Sequence, residues 1–394
     1  MSRLAAQAEV VKLAHALDVP AATLEFLHAV PPGQLRSVRE AVYERLFAQD
    51  QILFQRVARW IRWLPGFLVS WFATMFGAVC TAHVVGEMPA RRAARLAQRL
   101  PAAFLAEVCV HLDPRHAREI IGLLPQGCIV AIALQMIVHR DYQTMGRFAD
   151  FLSDDAIRAV LDQVDDDEIL LRIAYFMESR NRLDHVVRLL PRERLRRAIL
   201  LALDESRNIL VEVMSLLAHV SYALQRELGD LAAEQDERVL HRIIYAAHEH
   251  ELWADLLPVI ANLSTQSLRK VVNLPILRND IAVLDGILLS TADHQLWSSV
   301  LPLVQLMDDG MRESVAHIAN GLSHAELQDA VEATLMGEHW GVMIDLMTQM
   351  MPEKQVEAAG IIRGYGAVDA ELFERVRRQA TGRGMGSAFE QAAA

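Results

Sequence analysis

The sequence predicts an all-α fold, a superhelical α-solenoid built of helix-turn-helix repeats. Good helix formers such as Ala, Leu, Arg, Glu and Met dominate nearly every window, and the alternating Val, Ile and Thr runs of β-strands are missing. Only 19 Gly and 13 Pro interrupt the 394 residues. A chain of this length suits an elongated array in which each unit packs on its neighbours.

The N-terminal helices, residues 1–51, come first. The first twenty residues carry charges throughout and lack the apolar stretch of a secretion signal, so we expect a cytoplasmic protein. The chain's three cysteines stand singly in apolar helical stretches. This pattern indicates small core residues in a reducing compartment rather than a disulfide or a metal site.

A strongly apolar helical segment, residues 52–88, follows. From Leu64 to Gly86 it has 23 residues without a formal charge, and the segment holds three of the chain's six tryptophans. Arginines flank this run on both sides, as in peripheral membrane anchors that place Arg near anionic headgroups and Trp at the bilayer boundary. The candidate residues for binding a membrane or a hydrophobic ligand are Arg56, Arg59, Trp60, Arg62, Trp63, Phe67, Trp71, Phe72 and Phe76.

Three interpretations of this segment stay open. It is a helix buried on all sides within the solenoid, a helix that contacts lipid or lines a ligand site, or a single membrane span. A span is opposed by the Pro-Gly turn at its start, by scattered polar side chains, and by the lack of a second run of this length. The exposure of residues 64–86 decides between the first interpretation and the second.

Repeats of short helices are predicted for residues 89–238. In LAQRLPAAFLAEVCVHLDPRHAREIIGLLPQGCIVAIALQMI, which begins at Leu96, turns recur at Pro101, Pro114 and Pro125. Later turns of the form L-P-x-x or L-S-D-D also precede amphipathic helices. Pro, Ser and Asp are residue types that start helices, so the turns and the helices agree.

The stretch from Met88 to Met136 has L-P turns every dozen residues and L-D-P-x-x-A in its middle. It resembles the cytosolic N-terminal superhelical domain of CBS-containing magnesium transporters, which is akin to the helical repeats of flagellar motor switch proteins. The resemblance covers about an eighth of the chain and implies a superhelical fold. This chain has no five-helix membrane pore and no CBS pair, and no position matches the family's magnesium-sensing carboxylates. Magnesium transport is therefore not implied.

Longer repeats are predicted for residues 239–380. Trp253, Trp297 and Trp340 are 44 and 43 residues apart and begin three segments that align in register. A period in the low forties is typical of a unit of two helices, each of about 15 residues, with two turns. A polar turn then starts the next helix, at Ser264, Asp308 and Pro352. The glycine-rich end, residues 381–394, is expected to be a flexible tail.

Charge and motifs argue against several functional classes. The net charge is -11; residues through Arg140 hold 15 Lys and Arg against 10 Asp and Glu, so the remaining 254 residues carry -16. Nucleic-acid binding needs a basic face, which an acidic region of this size does not favour. No phosphate-binding loop, nucleophile elbow or H-E-x-x-H motif occurs. We therefore expect no enzyme activity, no cofactor and no nucleic-acid partner.

Three further groups of residues invite chemistry but have simpler explanations. His248 and His250 point about 200° apart on a helix and cannot chelate one metal ion together with His241. Acidic-His pairs precede all three repeat tryptophans, which indicates a helix-start feature. The acidic run Asp165–Glu168 is expected to be a solvated first turn of a helix, with a cation site as the alternative. The arginine-rich run Arg188–Arg197 is expected to be a solvated surface, with binding of an acidic partner or a phosphate as the alternative.

The leading functional hypothesis is a non-enzymatic scaffold or adaptor that binds a partner protein on its superhelical surface. The alternative is a peripheral membrane protein or hydrophobic-ligand-binding protein that uses residues 52–86, placed at the inner face of a membrane. An enzyme with buried His and carboxylates in a helical cavity is the weakest of the three. Assembly into a homo-oligomer is compatible with the first two.

Overall fold

The chain is helical throughout the computed structural model, which describes residues 3–17, 19–48, 66–204, 206–207, 209–366 and 370–392. These residues form 26 α-helices and one 3-10 helix, and none of them lies in a β-strand. The all-α class predicted from composition is confirmed. Close packing divides the chain into two units, Met1–Ser221 and Tyr222–Ala394. This boundary comes earlier than the predicted change of repeat type at residue 238.

Unit 1 consists of short helices joined by tight turns. Its helices are α1 (Arg3–Ala16), a 3-10 helix (Ala21–Ala29), α2 (Pro32–Ala48), α3 (Gly66–Gly86), α4 (Ala90–Ala97), α5 (Ala102–His111), α6 (Pro114–Ile121), α7 (Gln126–Val138), α8 (Tyr142–Ala149), α9 (Asp154–Leu161), α10 (Asp167–Tyr175), α11 (Arg180–Leu189), α12 (Arg192–Ala202) and α13 (Leu210–His219). Alternate helices pack side by side. One row contains α3, α5, α7, α9 and α11, while α4 packs on α6, and α10 packs on α8 and α12.

The predicted turns do start helices in unit 1. Pro101 and Pro125 directly precede α5 and α7, and Pro114 is the first residue of α6. Asp113 and Ser153 cap α6 and α9, because each side chain accepts a backbone N–H from the first turn of its helix. The L-P, L-D-P and L-S-D-D patterns therefore act as helix boundaries.

One contact in unit 1 joins elements that are far apart in sequence. The N-terminal helix α1 packs against α2 and against α13, the last helix of the unit. An array in which each repeat contacts only its sequence neighbours does not predict this contact. It places the N-terminal helices over the middle of the chain.

Unit 2 contains the tryptophan repeats. Its helices are α14 (Tyr222–Ala233), α15 (Glu237–Glu249), α16 (Trp253–Ala261), α17 (Thr265–Val272), α18 (Pro275–Asn279), α19 (Ile281–Asp293), α20 (Trp297–Val304), α21 (Asp309–Ala319), α22 (His324–Gly337), α23 (Trp340–Met347), α24 (Pro352–Gly366), α25 (Ala370–Gly382) and α26 (Gly386–Gln391). Each period of about 44 residues therefore holds three main helices, and the predicted two-helix unit is wrong. The extra boundary arises because Asp280 and Ser323 cap α19 and α22 with their side chains.

The turn before each repeat tryptophan has the same backbone conformation. Glu251, Gln295 and Glu338, each two residues before a tryptophan, have φ of +54°. In all three repeats the next N–H donates to the carbonyl five residues earlier, at 2.8, 2.9 and 3.1 Å, which is a Schellman helix end. The three tryptophans are buried, and within the described residues none of their indole N–H groups donates a hydrogen bond. The repeat is therefore defined by a shared left-handed turn and by a shared buried tryptophan side chain.

A recurring hydrogen bond, which we call the Asx pair, links successive repeats within each unit. An Asp or Asn side-chain oxygen accepts the backbone N–H of the residue directly before a helix, 29 to 37 residues later. Each Asx pair occupies an N–H at a helix start, where no intrahelical acceptor exists. The pairs are Asp150 with Ser179 (3.2 Å), Asp184 with Ser221 (2.9 Å), Asp230 with Ser264 (2.9 Å), Asn273 with Asp308 (2.7 Å) and Asn320 with Met351 (2.9 Å).

The C-terminal residues differ from the predicted flexible tail. They form α26, which packs on α24 and α25 and buries Met385, Ala388 and Phe389. The chain turns back at Gly384, whose φ of +87° is readily adopted by glycine alone. The glycines that suggested flexibility instead make the turn, and Phe389 supplies the apolar anchor.

Candidate functional site

Helix α3 presents an apolar face to solvent. Trp71, Met75, Phe76 and Val79 are between 49% and 62% exposed. Trp71 and Met75 have the i, i+4 spacing of one helix face. Within the described ranges, α3 is the one helix long and apolar enough to cross a membrane by length and composition. The interpretation that this segment is buried on all sides is therefore wrong.

The opposite face of α3 belongs to the core of unit 1. Val69, Ala82 and Val85 are buried in the hydrophobic cluster formed with the following helices, and α3 packs along α5. Most of this buried contact comes from the second half of the helix. The exposed aromatic side chains are concentrated in the first half, and they are held in place by a helix whose other side is fixed.

A break at Gly77 separates the two halves of α3. Gly77 has φ of +84° and ψ of 172°, a conformation available almost only to glycine. The hydroxyl of Thr81, which is buried, lies 3.1 Å from the carbonyl oxygen of Ala73 and 2.8 Å from that of Gly77. Thr81 thus fastens the second half of the helix to the end of the first.

Three of the sequence-predicted site residues come together on α3. The rings of Trp71 and Phe72 meet edge to face with centroids 5.0 Å apart, and Phe72 stacks on Phe76 at 6.0 Å. Met75 and Val79 were not among the predicted residues, although the i, i+4 spacing of Met75 from Trp71 indicated that these two share a face. The remaining candidates, Arg56, Arg59, Trp60, Arg62 and Trp63, lie outside the described residues, and so does the side chain of Phe67.

A basic helix follows α3 directly. On α4, Ala93 and Leu96 are buried in the core, while Arg91 and Arg95 are exposed, as is Arg99 beyond its end. This division between an apolar and a cationic side fixes α4 on unit 1 with its guanidinium groups in solvent. The apolar face and the basic residues are thus contributed by consecutive elements.

A buried cluster of charges attaches the N-terminal helices to the rest of unit 1. Glu9, Lys12 and Arg39, from α1 and α2, are each at most 6% exposed. Arg39 forms ion pairs with Glu9 at 3.3 Å and with Glu178, which lies just before α11. The ammonium of Lys12 lies 5.6 Å from the centroid of the Tyr175 ring. The sequence analysis assigned no role to these residues.

Burial and the neighbouring charges both shift the pKa values in this cluster. It lowers the pKa of Lys12 to about 8, although the charge of Glu9 acts in the opposite direction. Burial would raise the pKa of Glu178, but the guanidinium of Arg39 outweighs it and the pKa of Glu178 falls. Because Glu9, Lys12 and Arg39 are enclosed and Arg39 pairs with both carboxylates, the cluster is suited to holding helices together rather than to binding a substrate.

The acidic and arginine-rich runs pair with each other, so the prediction of two solvated surfaces is wrong. Asp167 is buried and accepts hydrogen bonds from Arg194 and Arg197 at 2.6 and 2.7 Å. Glu168 pairs with Arg172 at 2.9 Å and with Arg207. The runs face each other because α10 and α12 are packed neighbours.

In the described ranges, the His and Cys residues are not grouped into a site that could hold an ion. Within the described part of the chain, no group of three His, Cys, Asp or Glu side chains is placed to hold a metal. His250 and His294 cap the C-terminal ends of α15 and α19, so the acidic-His pairs there end helices rather than start them. Burial raises the pKa of Cys109 to about 12, which keeps its thiol protonated.

No protein-family model, curated protein or solved structure matches this chain. The feature of the molecule that most clearly indicates a function is the exposed apolar face of α3.

Proposed function

We propose that the chain is a non-enzymatic helical-repeat protein that binds the surface of an anionic membrane through α3. The observation that carries this proposal is the exposure of Trp71, Met75 and Phe76 on a helix whose other face is fixed in the core. Apolar surface in water is unfavourable by about 25 cal/mol per Å². Contact with the acyl region of a bilayer removes that penalty.

Local charge favours an anionic membrane as the partner. Residues 51–106 contain seven Arg and a single acidic residue, Glu87, so this region carries +6 in a chain whose net charge is -11. Each basic residue near an anionic leaflet contributes about 1 kcal/mol to binding. Trp71 and its neighbouring aromatic rings are suited to the boundary between headgroups and acyl chains.

The geometry of α3 favours contact with a surface over a complete span. Thr81, Ala82 and Val85 are buried by the protein's own helices, so lipid cannot surround the second half of α3 as it would a membrane span. The break at Gly77 also interrupts the regular hydrogen bonding that a lipid-exposed span needs. In this proposal the first half of α3 lies at the membrane while the second half anchors it to unit 1.

The proposal includes the superhelical arrangement of the repeats and a position in the cytoplasm at the inner face of a membrane. The side-by-side packing of alternate helices in unit 1 supports the former. The anionic character of cytoplasmic leaflets supports the latter.

Vesicle co-sedimentation tests the proposal directly. The intact chain is mixed with vesicles of phosphatidylcholine alone or of equal parts phosphatidylcholine and phosphatidylglycerol. We expect sedimentation with the anionic vesicles, weakened by salt as screening increases. The triple variant Trp71→Ser, Met75→Ser, Phe76→Ser should bind more than tenfold more weakly, since a buried apolar side chain is worth about 1.5–3 kcal/mol.

A matched control removes three exposed apolar side chains from unit 2 instead. The variant Tyr245→Ser, Leu289→Ser, Met336→Ser should sediment with anionic vesicles like the unmodified chain. Equal recovery of the unmodified chain and the α3 variant in the supernatant would refute membrane binding through α3. The unfolding transition of each variant, followed by circular dichroism, shows whether its fold is intact.

The second candidate function is a protein adaptor, favoured by that same set of exposed side chains on unit 2. Tyr245, Leu289 and Met336 are 44%, 55% and 82% exposed, and they lie on the helices that precede the three tryptophan helices. Unit 2 holds 13 Lys and Arg against 25 Asp and Glu, so it suits a basic partner. A partner captured from cell extract by the unmodified chain, but not by the unit 2 variant, would support this function.

A further inference from the structure

Unit 1 contains an apolar cavity between its rows of helices. The cavity has a volume of about 150 Å³, and its lining comes from seven consecutive helices, α5 to α11. Four of these, α5, α7, α9 and α11, belong to the row that also contains α3.

The cavity wall offers no side chain that could bind a polar ligand. All 22 lining side chains are apolar, three of them methionines, and the single thiol is that of Cys109. A polar group placed there would lose its hydrogen bonds to water without replacement, at a penalty of a few kcal/mol. The wall therefore selects a hydrocarbon ligand.

Part of the cavity wall is also more exposed to solvent than the side chains of a fully buried core. Leu124, Leu152, Leu170, Val186 and Leu190 line the cavity and are all only partly buried. Such a surface gains free energy when an apolar ligand displaces the water beside it. An apolar cavity of about this volume, engineered in another protein, stays dry and binds benzene.

A second cavity lies between this space and α3. It has a volume of about 60 Å³, and its lining includes Thr81 and Val85 from the anchored half of α3. Five residues line both cavities: Cys109, Ile121, Leu124, Ile132 and Phe148. A continuous apolar lining therefore runs from the helix assigned to the membrane surface to α11.

We propose that these two cavities bind the terminal part of one acyl chain of a phospholipid taken from that membrane. The proposal rests on the proposed function, because α3 is both the membrane contact and one end of the apolar lining. A flexible linear chain can contact lining residues from several helices in turn, whereas a compact ligand would contact only a few of them. The methionines adapt the wall to a flexible ligand, since their side chains are unbranched.

The test uses lysophosphatidylglycerol, which has a single acyl chain and is supplied as monomers without vesicles. Native mass spectrometry of the intact chain should show one bound molecule. Palmitate at the same concentration distinguishes a free fatty acid from a phospholipid. Binding of palmitate without lysophosphatidylglycerol, or absence of any adduct on a chain that sediments normally with anionic vesicles, would overturn the proposal.

Filling the cavity should block binding without affecting membrane contact. The double variant Ala149→Leu, Ala174→Leu adds bulk at two lining positions. It should bind lysophosphatidylglycerol more than tenfold more weakly and sediment with vesicles like the unmodified chain. The control Ala218→Leu, Ala282→Leu adds the same bulk at exposed positions and should bind normally. Normal binding by the filled variant would contradict the assignment.

A second measurement does not depend on the filled variant folding. Lysophosphatidylglycerol with a photoactivatable diazirine in its acyl chain should crosslink to residues of α5–α11 in the unmodified chain. Crosslinks confined to the exposed face of α3 would overturn the cavity proposal while leaving membrane binding intact. An adduct in the cavity on a chain that fails to sediment with vesicles would instead refute the proposed function alone.

Discussion

The carboxylate of Asp167 accepts a hydrogen bond from Nε of Arg194 at 2.6 Å, across 27 residues of sequence. Arg194 also donates to the carbonyl oxygens of Leu161 and Val164, so one guanidinium joins α12 to the end of α9 and the start of α10. Burial alone would raise the pKa of Asp167, but hydrogen bonds from Arg197 and Arg194 outweigh it and lower the pKa. The pair therefore stabilises the middle of unit 1 while both groups are ionised.

Replacing Asp167 should destabilise unit 1. Asp167→Asn leaves a buried guanidinium without its anion, and we expect a loss of about 3 kcal/mol in the free energy of unfolding. Asp165→Asn, in the same acidic run but exposed, should change it by less than about 0.5 kcal/mol. Urea unfolding at pH 7 measures both, and equal effects would contradict a specific role for Asp167.

The same variant has a predicted pH dependence. Because the folded-state pKa of Asp167 lies below its ordinary value of 3.8, the stabilisation is present above pH 3.8 and is lost as pH falls through the folded-state pKa. The stability difference between the unmodified chain and Asp167→Asn should accordingly shrink below pH 3.8. A difference that stays constant down to pH 2 would contradict this assignment.

Lys12 should destabilise the folded chain at neutral pH. Its pKa is lowered from 10.5 to about 8 by burial, so the unfolded chain binds more protons than the folded chain between pH 8 and 10.5. Stability from this group therefore rises with pH across that window, by roughly 3 kcal/mol in total. Lys12→Met should raise the melting temperature at pH 7 and remove this alkaline rise. A melting temperature that falls would show that the pairing of Lys12 outweighs its burial.

The repeated turn before each tryptophan predicts a stabilising substitution. Gln295 and Glu338 adopt a left-handed conformation that is unfavourable for side chains and open to glycine. Gln295→Gly and Glu338→Gly should each stabilise unit 2 by up to about 1 kcal/mol. Gln305→Gly at the end of α20, where the backbone is right-handed, is the control and should not stabilise. Chemical denaturation of the intact chain measures these differences.

At the break in α3, replacing a glycine by a residue with a side chain should lower the stability of the protein. A Cβ at Gly77 would meet no atom within 4 Å, so the effect of Gly77→Ala reports on backbone conformation alone. With φ of +84° and ψ of 172°, the substitution should lower stability by about 1–3 kcal/mol. Gly127→Ala, on α7 and equally open in space, should be neutral or stabilising. Thermal unfolding distinguishes the two, and equal melting temperatures would argue that α3 is regular.

The sequence predicted those features that depend on local chemistry. Helix formers and turn residues sufficed for the all-α class, and the turns at Pro101, Pro114 and Pro125 were placed correctly because Pro and Asp act within one helical turn. The spacing of Trp253 and Trp297 located equivalent buried positions. Three helices per period were missed because Asp280 and Ser323 read equally well as surface residues and as helix caps.

Features that depend on packing between distant elements could not be predicted. Nothing near Asp167 indicates Arg194, and nothing near Lys12 indicates Tyr175, because each partner is chosen by how helices pack. The apolar run of α3 was recognised, yet its exposure was not, since a buried helix and a membrane-binding helix have similar composition. Only the i, i+4 spacing of Trp71 and Met75 carried local information about the exposed face.

The Asx pairs have a consequence for how such a chain can change in length. The side-chain oxygen of Asn273 accepts a hydrogen bond from the backbone N–H of Asp308, and that of Asn320 accepts one from Met351. The acceptor and the donor of each pair therefore lie in successive copies of the motif. Duplication or loss of one entire copy leaves every remaining Asx acceptor beside a backbone N–H donor. An insertion of half a copy instead leaves one acceptor and one donor without a partner. Evolution by whole-copy steps is thereby favoured over drift in copy size.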